Sequence, residues 1–382
     1  MRNILFFAYT PFQTIVSLAI RYQYYQNDNA VIILADSVQG REKLKNNIEK
    51  NELFDYVLFG NIRKFFPKSN NRKLHELNRI RSAFDPYFIA ADLSFPEMKV
   101  DVFISTEVNY YTESIYSYLR KRNKNIEIEL MDEGYSSYTY YFKEAFKPTT
   151  RKNIMKQFLF RAPGAFTGRR YMAKEAKAIY YFAPELLCWD EIPYNIKPLN
   201  VKNDLIFHNM VNTLFDYGNL EKDGLQKEFE KPFLYFEESF FWSMSNNNDV
   251  EIIDHISEII GKNNMAIKLH PRNEINRFEV RGYKTNISYG IPWELVASNL
   301  PEDDKRVFLS FSSGAVLNYK FLCDKSFKTI LLYKCIGDKY YHVEDSVKEW
   351  FEKFKEHYGD SVYIPSTVEE LDSLLRDIIG GQ

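Results

Sequence analysis

Short apolar runs alternate with longer amphipathic segments along most of the chain. In the first part, each apolar run ends in polar or turn residues, and the runs read NILFFAY, AVIILAD, YVLFG, VDVFIST and IEIELMDEG. The intervening segments include 41–51 and 110–122, where apolar residues recur near helical spacing. This alternation predicts a parallel sheet with helices on both faces. Residues 178–182 are predicted to form its last strand.

A second alternating half begins near residue 232. Its apolar runs read PFLYFEES, MAIKLHP, RVFLSFSSG and KTILLYK. Helical periodicity predicts helices over 249–261, near 292–299, near 314–323, over 344–358 and over 367–379.

Two such halves predict an α/β protein with two Rossmann-like domains. A chain of 382 residues exceeds the usual size of one hydrophobic core. We place the N-terminal domain at 1–184 and the C-terminal domain at 185–382, with 185–230 partly a linker. Because ligands of parallel sheets bind beyond the carboxyl ends of the strands, we expect the two sheets to face a central cleft that holds the site.

The first twenty residues resemble a signal peptide only superficially. Thr10, Pro11 and Gln13 interrupt the apolar run, and no small-residue cleavage site follows cleanly. We interpret the segment as a strand, a turn and a helix. No uninterrupted apolar run is long enough for a transmembrane helix.

Composition narrows the class of protein further. The formal net charge of −2 gives no reason to expect nucleic acid as a partner. The 28 Tyr and 31 Phe residues favour a cleft that binds flat or sugar-like ligands. Cys188, Cys323 and Cys335 have no paired spacing, so we expect reduced thiols in a cytoplasmic protein.

A histidine and a proline follow the predicted strand MAIKL. Pro271 cannot continue a central strand, so His270 is expected at the lip of the cleft. An imidazole there can donate to a phosphate oxygen or act as a general acid, and Arg272 adds positive charge. The alternative is a strand-end histidine that bonds to a backbone carbonyl.

A serine turn follows the predicted strand RVFLSF. Ser312, Ser313 and Gly314 precede a predicted helix, and hydroxyl and backbone N–H groups at such a position suit a phosphate. The alternative is a serine that only caps the helix.

Two acidic pairs also lie at predicted strand ends. Asp132 and Glu133, followed by Gly134, are candidate general bases, and the alternative is an acidic cap of the next helix. Glu237 and Glu238 follow the strand FLYF, and at most one of them is expected to face the cleft because adjacent side chains point in opposite directions.

Several common nucleotide motifs are missing from the sequence. There is no Asp-x-Asp pair, which argues against a metal-held diphosphate and favours a donor with one phosphate. The Walker pattern and Gly-x-Gly-x-x-Gly are absent too. Without a Cys/His cluster we expect no zinc, and we expect neither a metal nor another cofactor.

These motifs, in this order, resemble those of bacterial sialyltransferases. The acidic-acidic-Gly motif at 132–134, the His-Pro motif at 270–271, FSSGAVLN and YTPFQ are similar to motifs of glycosyltransferase family 52, the lipooligosaccharide and capsule sialyltransferases. The resemblance spans most of the chain, although each motif is short. It implies a GT-B-like fold and the use of CMP-sialic acid without a metal.

The resemblance also implies roles for individual residues. His270 would contact the CMP phosphate and act as the acid, Ser312 and Ser313 would hold phosphate oxygens, and Glu294 would bind the ribose hydroxyls. The base would be Glu238 or Asp132, and the choice between them stays open. Further substrate contacts are expected from the neighbouring residues Pro271, Arg272, Gly314, Glu237, Glu133 and Gly134.

The expected function is an inverting transfer of sialic acid from CMP-sialic acid to a galactose-terminated bacterial surface glycan. Alternatives within the enzyme class are a polysialyltransferase and a transferase of the same fold with another nucleotide sugar. A sugar- or nucleotide-binding protein without turnover is the alternative from a different class. A homodimer is compatible with the resemblance.

Two basic segments raise the question of a membrane surface. One is 63–73, and the other is 151–177, where phenylalanines interleave with Arg151, Lys152, Lys156, Arg161, Arg169, Arg170, Lys174 and Lys177. Such segments can rest on an anionic membrane, where lipid-linked acceptors lie. We therefore expect a cytoplasmic protein with peripheral contact to the inner face of the membrane as one option. The other is a solvated helix face with a mobile loop.

Overall fold

The chain forms two units, Met1–Phe215 and Asp216–Gln382, each built around one parallel sheet. The computed structural model describes residues 1–65, 72–85, 87–93, 95, 97–106, 110–139, 167–168, 172–189, 191–239, 248–273, 275–286, 290–302, 305–337 and 342–381.

In the described part of the first unit, the sheet has seven strands in the order β3-β2-β1-β4-β5-β6-β7. The strands are β1 Asn3–Ala8, β2 Asn29–Ala35, β3 Tyr56–Gly60, β4 Val102–Ser105, β5 Glu127–Met131, β6 Ala178–Tyr181 and β7 Asn195–Pro198. All pairs are parallel. The central strands are continuous apolar runs because helices cover both faces of such a sheet.

The helices of the first unit follow the predicted alternation. They are α1 Pro11–Tyr24, α2 Arg41–Lys50, α3 Ile62–Phe65, α4 Arg72–Phe84, α5 Tyr110–Arg122, α6 Tyr135–Tyr138, α7 Met172–Glu175 and α8 Leu205–Phe215, with 3₁₀ turns at Ala90–Asp92 and Pro184–Leu186. The Thr10 side chain accepts a hydrogen bond from the Gln13 backbone N–H at 3.1 Å and Pro11 occupies the first turn, so the predicted strand–turn–helix start is confirmed.

The described sheet of the second unit has six parallel strands in the order β10-β9-β8-β11-β12-β13. They are β8 Phe233–Phe236, β9 Met265–Lys268, β10 Lys284–Thr285, β11 Val307–Ser310, β12 Lys328–Leu331 and β13 Val362–Tyr363. Its helices are α9 Tyr217–Lys222, α10 Leu225–Glu228, α11 Asn248–Ile260, α12 Trp293–Asn299, α13 Ala315–Asn318, α14 Tyr333–Ile336, α15 Asp345–Tyr358 and α16 Val368–Gly380, with 3₁₀ turns at Lys262–Asn264, Glu279–Arg281, Tyr319–Phe321 and Gly359–Ser361.

The predicted domain boundary after residue 184 is too early. Strand β7 extends the first sheet, and α8 packs on α1 and α2 of the first unit. Residues 185–215 therefore belong to the first unit and are not a linker. The composition misled the prediction because β7 is a mostly exposed edge strand with little apolar pattern.

Candidate functional site

Three neighbouring strands of the second unit end at the same level. Phe236, the last residue of β8, pairs with Lys268 of β9 on one side and with Ser310 of β11 on the other. The residues two positions after these strand ends are Glu238, His270 and Ser312. Neighbouring strands lie about 4.8 Å apart, so the Cα atoms of the two outer residues are roughly 10 Å apart. One phosphorylated ligand at this sheet edge can therefore reach both.

The His-Pro motif forms a tight turn that is fastened to the end of β8. The Asn273 backbone N–H donates to the His270 carbonyl oxygen at 3.0 Å, which places Pro271 in the second position of the turn. The His270 backbone N–H donates to Glu237 Oε2 at 3.0 Å, and Asn273 Nδ2 donates to the Glu238 carbonyl oxygen at 2.8 Å. These bonds hold the imidazole at the sheet edge.

The His270 ring has a defined hydrogen-bonding direction. The Arg272 backbone N–H donates to Nδ1 at 3.1 Å, so the proton of the neutral ring lies on Nε2. Burial, helped by the charges of Arg272 and Lys268, lowers the pKa of His270 to about 4. Without a ligand the imidazole is therefore neutral at pH 7 and presents Nε2–H as a hydrogen-bond donor.

The serine turn is bound to the carboxylate of Glu238. The Ser312 backbone N–H donates to Glu238 Oε1 at 2.7 Å, and the Ser310 hydroxyl lies 3.0 Å from the same oxygen. The Ser310 hydroxyl also accepts from the Ser313 backbone N–H at 3.2 Å. A half-buried carboxylate thus occupies one of the backbone donors that the sequence assigns to a phosphate.

The helix after the serine turn is short. Helix α13 has four residues and continues only as the 3₁₀ turn Tyr319–Phe321. Gly314 has helical torsion angles, φ −61° and ψ −23°, and the Ala315 backbone N–H lies 3.4 Å from the Ser313 hydroxyl oxygen. Gly314 is the N-cap residue of this helix, and no side chain forms a capping hydrogen bond there. The phosphate-binding role of Ser312 and Ser313 stays a prediction.

Glu237 and Glu238 point in different directions, as their adjacency predicts. Glu237 is 2% exposed and pairs with Arg277 Nη2 at 3.2 Å, and Arg277 Nη1 also donates to Asp249 Oδ1 at 2.8 Å. Burial raises the pKa of Glu237, and the bond from the His270 backbone N–H opposes the rise. Glu237 therefore anchors the His-Pro turn by accepting the hydrogen bond of the His270 backbone N–H, whereas Glu238 contacts the serine turn.

A lysine that sequence reasoning missed lies beside the histidine. Lys268 ends β9, and its ammonium is 5.9 Å from the centre of the Phe236 ring. Burial lowers the pKa of Lys268, and the carboxylate of Glu294 opposes that effect. Lys268 is two residues before His270 and so lies on the same side of the strand. That spacing of two residues is the only feature of the sequence that could have indicated a role for Lys268 beside His270.

Glu294 lies in the first turn of α12 and is 4% exposed. Asn318 Nδ2 donates to its Oε1 at 3.2 Å. Burial raises the pKa of Glu294, and the charge of Lys268 lowers it in part. The charges of Glu294 and Lys268 therefore stabilise each other.

Asp132 belongs to the first unit and is fully buried. Its Oδ1 accepts from the Gly134 backbone N–H at 2.7 Å and from the Ser137 hydroxyl at 2.9 Å, and its Oδ2 accepts from the Tyr138 hydroxyl and from the Phe182 backbone N–H at 3.4 Å. Burial raises its pKa to about 6 against these bonds. These contacts agree with the structural alternative, an acidic residue that orders the turn into the next helix. The role of Asp132 as the base stays a prediction.

The other two residues of the acidic motif complete the turn into α6. Gly134 has φ 95° and ψ −161°, torsion angles that only glycine adopts readily. Glu133 is half-buried, and its Oε1 accepts from the Ser136 hydroxyl at 2.7 Å. These contacts give the motif a structural role in the first unit, and the expected contacts of Glu133 and Gly134 with substrate stay predictions.

Two kinds of feature are absent from the described part of the chain. No described group of three or more His, Cys, Asp or Glu side chains has the arrangement of a metal site. A bilayer crossing needs about 20 apolar residues in a helix, and none of the described helices offers such a segment. Most of the basic segment 151–177, and residues 66–71 of the other one, lie outside the described residues.

Comparison with known proteins finds similarity only at the level of structure. No protein-family model and no curated protein matches the sequence. An α/β-galactoside α-2,3-sialyltransferase from the luminous marine bacterium Photobacterium phosphoreum has a TM-score of 0.51 at 14% identity, over 95% of this chain and 98% of that one. The glycotransferase of kitacinnamycin has a TM-score of 0.54 at 8% identity, over 98% and 90%. A UDP-N-acetylglucosamine 2-epimerase has a TM-score of 0.51 at 10% identity, over 99% and 87%.

These identities show the fold alone. The protein has the α/β fold of GT-B glycosyltransferases, with two parallel sheets covered by helices, and this part of the prediction is confirmed. The same fold occurs in a sialyltransferase, another glycotransferase and an epimerase of a UDP-sugar.

Proposed function

We propose that the protein is an inverting, metal-independent sialyltransferase that uses CMP-sialic acid and a galactose-terminated bacterial surface glycan. The proposal rests on one observation. Strands β8, β9 and β11 end in register, so Glu238, His270 and Ser312 follow them at one sheet edge. The GT-B fold, which a galactoside α-2,3-sialyltransferase shares, supports it.

The donor phosphate would lie between the His-Pro turn and the serine turn. His270 Nε2–H and the Ser313 hydroxyl would donate to its oxygens, and Lys268 and Arg272 would supply positive charge. Lys268 and Arg272 would thereby stabilise the negative charge of the phosphate without a bound metal ion. Glu294 would bind the ribose, as the resemblance to family 52 implies.

The reaction would be a direct displacement at the anomeric carbon. The acceptor oxygen forms a bond to that carbon while the bond to the phosphate oxygen breaks, CMP leaves, and the configuration inverts. The acceptor proton goes to a carboxylate, and negative charge that develops on CMP is stabilised by His270. Glu238 suits the role of base better than Asp132 because it is half-buried at the sheet edge, whereas both oxygens of Asp132 are engaged in a closed interior.

The test is release of CMP from CMP-sialic acid with and without lactose as a soluble galactoside. The same protein is assayed in parallel with UDP- and GDP-sugars. The proposal predicts lactose-dependent CMP release, and His270→Ala should lower kcat by about a hundredfold to a thousandfold. His357→Ala, at an exposed position on α15, is the matched control and should keep full turnover.

Three results would overturn the proposal. Turnover of a UDP- or GDP-sugar without turnover of CMP-sialic acid would show that the protein uses another donor. Thermal stabilisation by CMP without any turnover would indicate a binding protein. Near-normal transfer by a folded His270→Ala variant would remove the histidine from the mechanism.

A further inference from the structure

Helix α4 carries its large apolar side chains on the outside. Leu77 is 62% exposed, Ile80 50% and Phe84 67%. Their spacing of three and four residues places them on one stripe of the helix. They form a continuous apolar face towards solvent, whereas most other exposed large apolar residues in the described chain are isolated or adjacent pairs.

The opposite face of the same helix is polar and buried. Asn78 and Ser82 are 9% and 2% exposed, and Asn78 Nδ2 donates to the Phe65 carbonyl oxygen at 2.9 Å. Helix α4 lies against α3 and α5 on this side. The helix is therefore inverted relative to an ordinary amphipathic helix, whose apolar face packs on the core. An apolar stripe that faces water costs free energy unless something covers it.

The charge around the stripe indicates what covers it. Arg63 and Lys64 on α3 and Arg81 on α4 are exposed. Helix α4 has four basic residues and the single acidic residue Glu76, in a chain whose formal net charge is −2. Local positive charge beside an exposed apolar stripe is the pattern of helices that lie in the interface of an anionic bilayer.

We propose that α4 docks on an anionic membrane surface, with the stripe Leu77, Ile80 and Phe84 inserted among the lipid headgroups and the cations of α3 and α4 against lipid phosphates. Nucleic acid would engage the cations but leave the apolar stripe in water, so a bilayer satisfies both features. Helix α3 starts two residues after β3 ends at Gly60, hence at the carboxyl edge of the first sheet, where parallel sheets place their ligands. Docking through α3 and α4 would bring this edge to lipid-linked molecules.

The test is flotation of the full chain with vesicles. The protein should float with phosphatidylglycerol mixed into phosphatidylcholine and stay behind with phosphatidylcholine alone, and added salt should weaken the binding. The triple variant Leu77→Ser, Ile80→Ser, Phe84→Ser should reduce the bound fraction by about tenfold or more. The pair Arg63→Glu and Lys64→Glu should reduce it by a similar factor at low salt.

Val280→Ser is the matched control, because Val280 is 87% exposed but belongs to the second unit and is not part of the stripe on α4. This variant should float like the wild type. Equal flotation of the triple variant and the wild type would refute the proposal, as would binding to a DNA oligonucleotide in preference to anionic vesicles. A self-associating wild type that the triple variant makes monomeric would assign the stripe to a second copy instead. Because the readout is vesicle binding, these outcomes do not depend on whether the protein transfers sialic acid.

Discussion

The protonation state of His270 offers a direct test of the site's electrostatics. In the ligand-free protein, burial together with Arg272 and Lys268 lowers the pKa of this imidazole from 6.5 to about 4. The shift of about 2.5 units corresponds to about 3 kcal/mol. Because the folded-state pKa is lowered, protonation of His270 destabilises the folded protein. This cost is absent above pH 6.5, grows as the pH falls and is complete below pH 4.

A bound phosphate should reverse the shift. One negative charge about 4 Å from the imidazolium contributes about 4 kcal/mol at an effective dielectric constant of about 20, or about 3 pKa units. CMP binding should therefore raise the pKa of His270 to roughly 6–7. In the empty site, His270 would then be neutral and could only donate a hydrogen bond. It would become an acid of suitable strength when CMP-sialic acid is bound. Lys268→Met should raise the pKa in the free protein only partly, because burial is the largest cause of the shift.

The assay is an NMR titration of the histidine ring protons with and without CMP. The chain has six histidines, and a His270→Gln variant identifies the relevant signal. A pKa near 6.5 in the free protein would show that the ring is not buried as described. A pKa that CMP leaves unchanged would show that the phosphate does not bind beside His270, and the proposed donor site would be refuted.

Three further substitutions test individual contacts. Asp132→Ala removes the acceptor of three buried donors and one partly buried donor, so the free energy of unfolding in urea should fall by about 3 kcal/mol or more, and a loss below 1 kcal/mol would contradict this structural role. Glu238→Gln keeps an oxygen for the Ser312 N–H but cannot accept a proton, so kcat should fall about a hundredfold with an unchanged melting temperature, and full turnover would exclude it as the base. Arg277→Met leaves two buried carboxylates unpaired and should cost about 3–5 kcal/mol in urea denaturation, whereas an unaltered midpoint would show that the pair adds nothing.

The central part of each sheet could be predicted from the sequence because the physics there is simple. Strands such as β1 and β11 are buried on both faces, so they appear as continuous apolar runs that end in turn residues. The edge strands β7, β10 and β13 have no such run. They have four, two and two residues, and each includes at least one half-buried or exposed residue, so periodicity contains almost no signal for them.

The candidate site was predictable in position but not in contacts. The ends of apolar runs locate His270 and Ser312, because parallel strands end at one edge. The bond between Glu238 and the serine turn joins residues 74 positions apart and depends on strand order. A lysine such as Lys268 looks the same in sequence whether it is solvated or buried. An acid such as Asp132 can be a cap or a base, and only its neighbours decide.

The strand orders have a consequence for how the protein is made on the ribosome. In both sheets the strand synthesised first is the third from one edge, and each later strand pairs with one that has already emerged. Each unit is also one uninterrupted stretch of chain. The seven described strands of the first sheet can therefore assemble in order of translation, before the second unit leaves the exit tunnel. Each strand could then pair as soon as it emerges, without a partner that is still to be synthesised. This shortens the time during which unpaired strand edges are exposed and can aggregate.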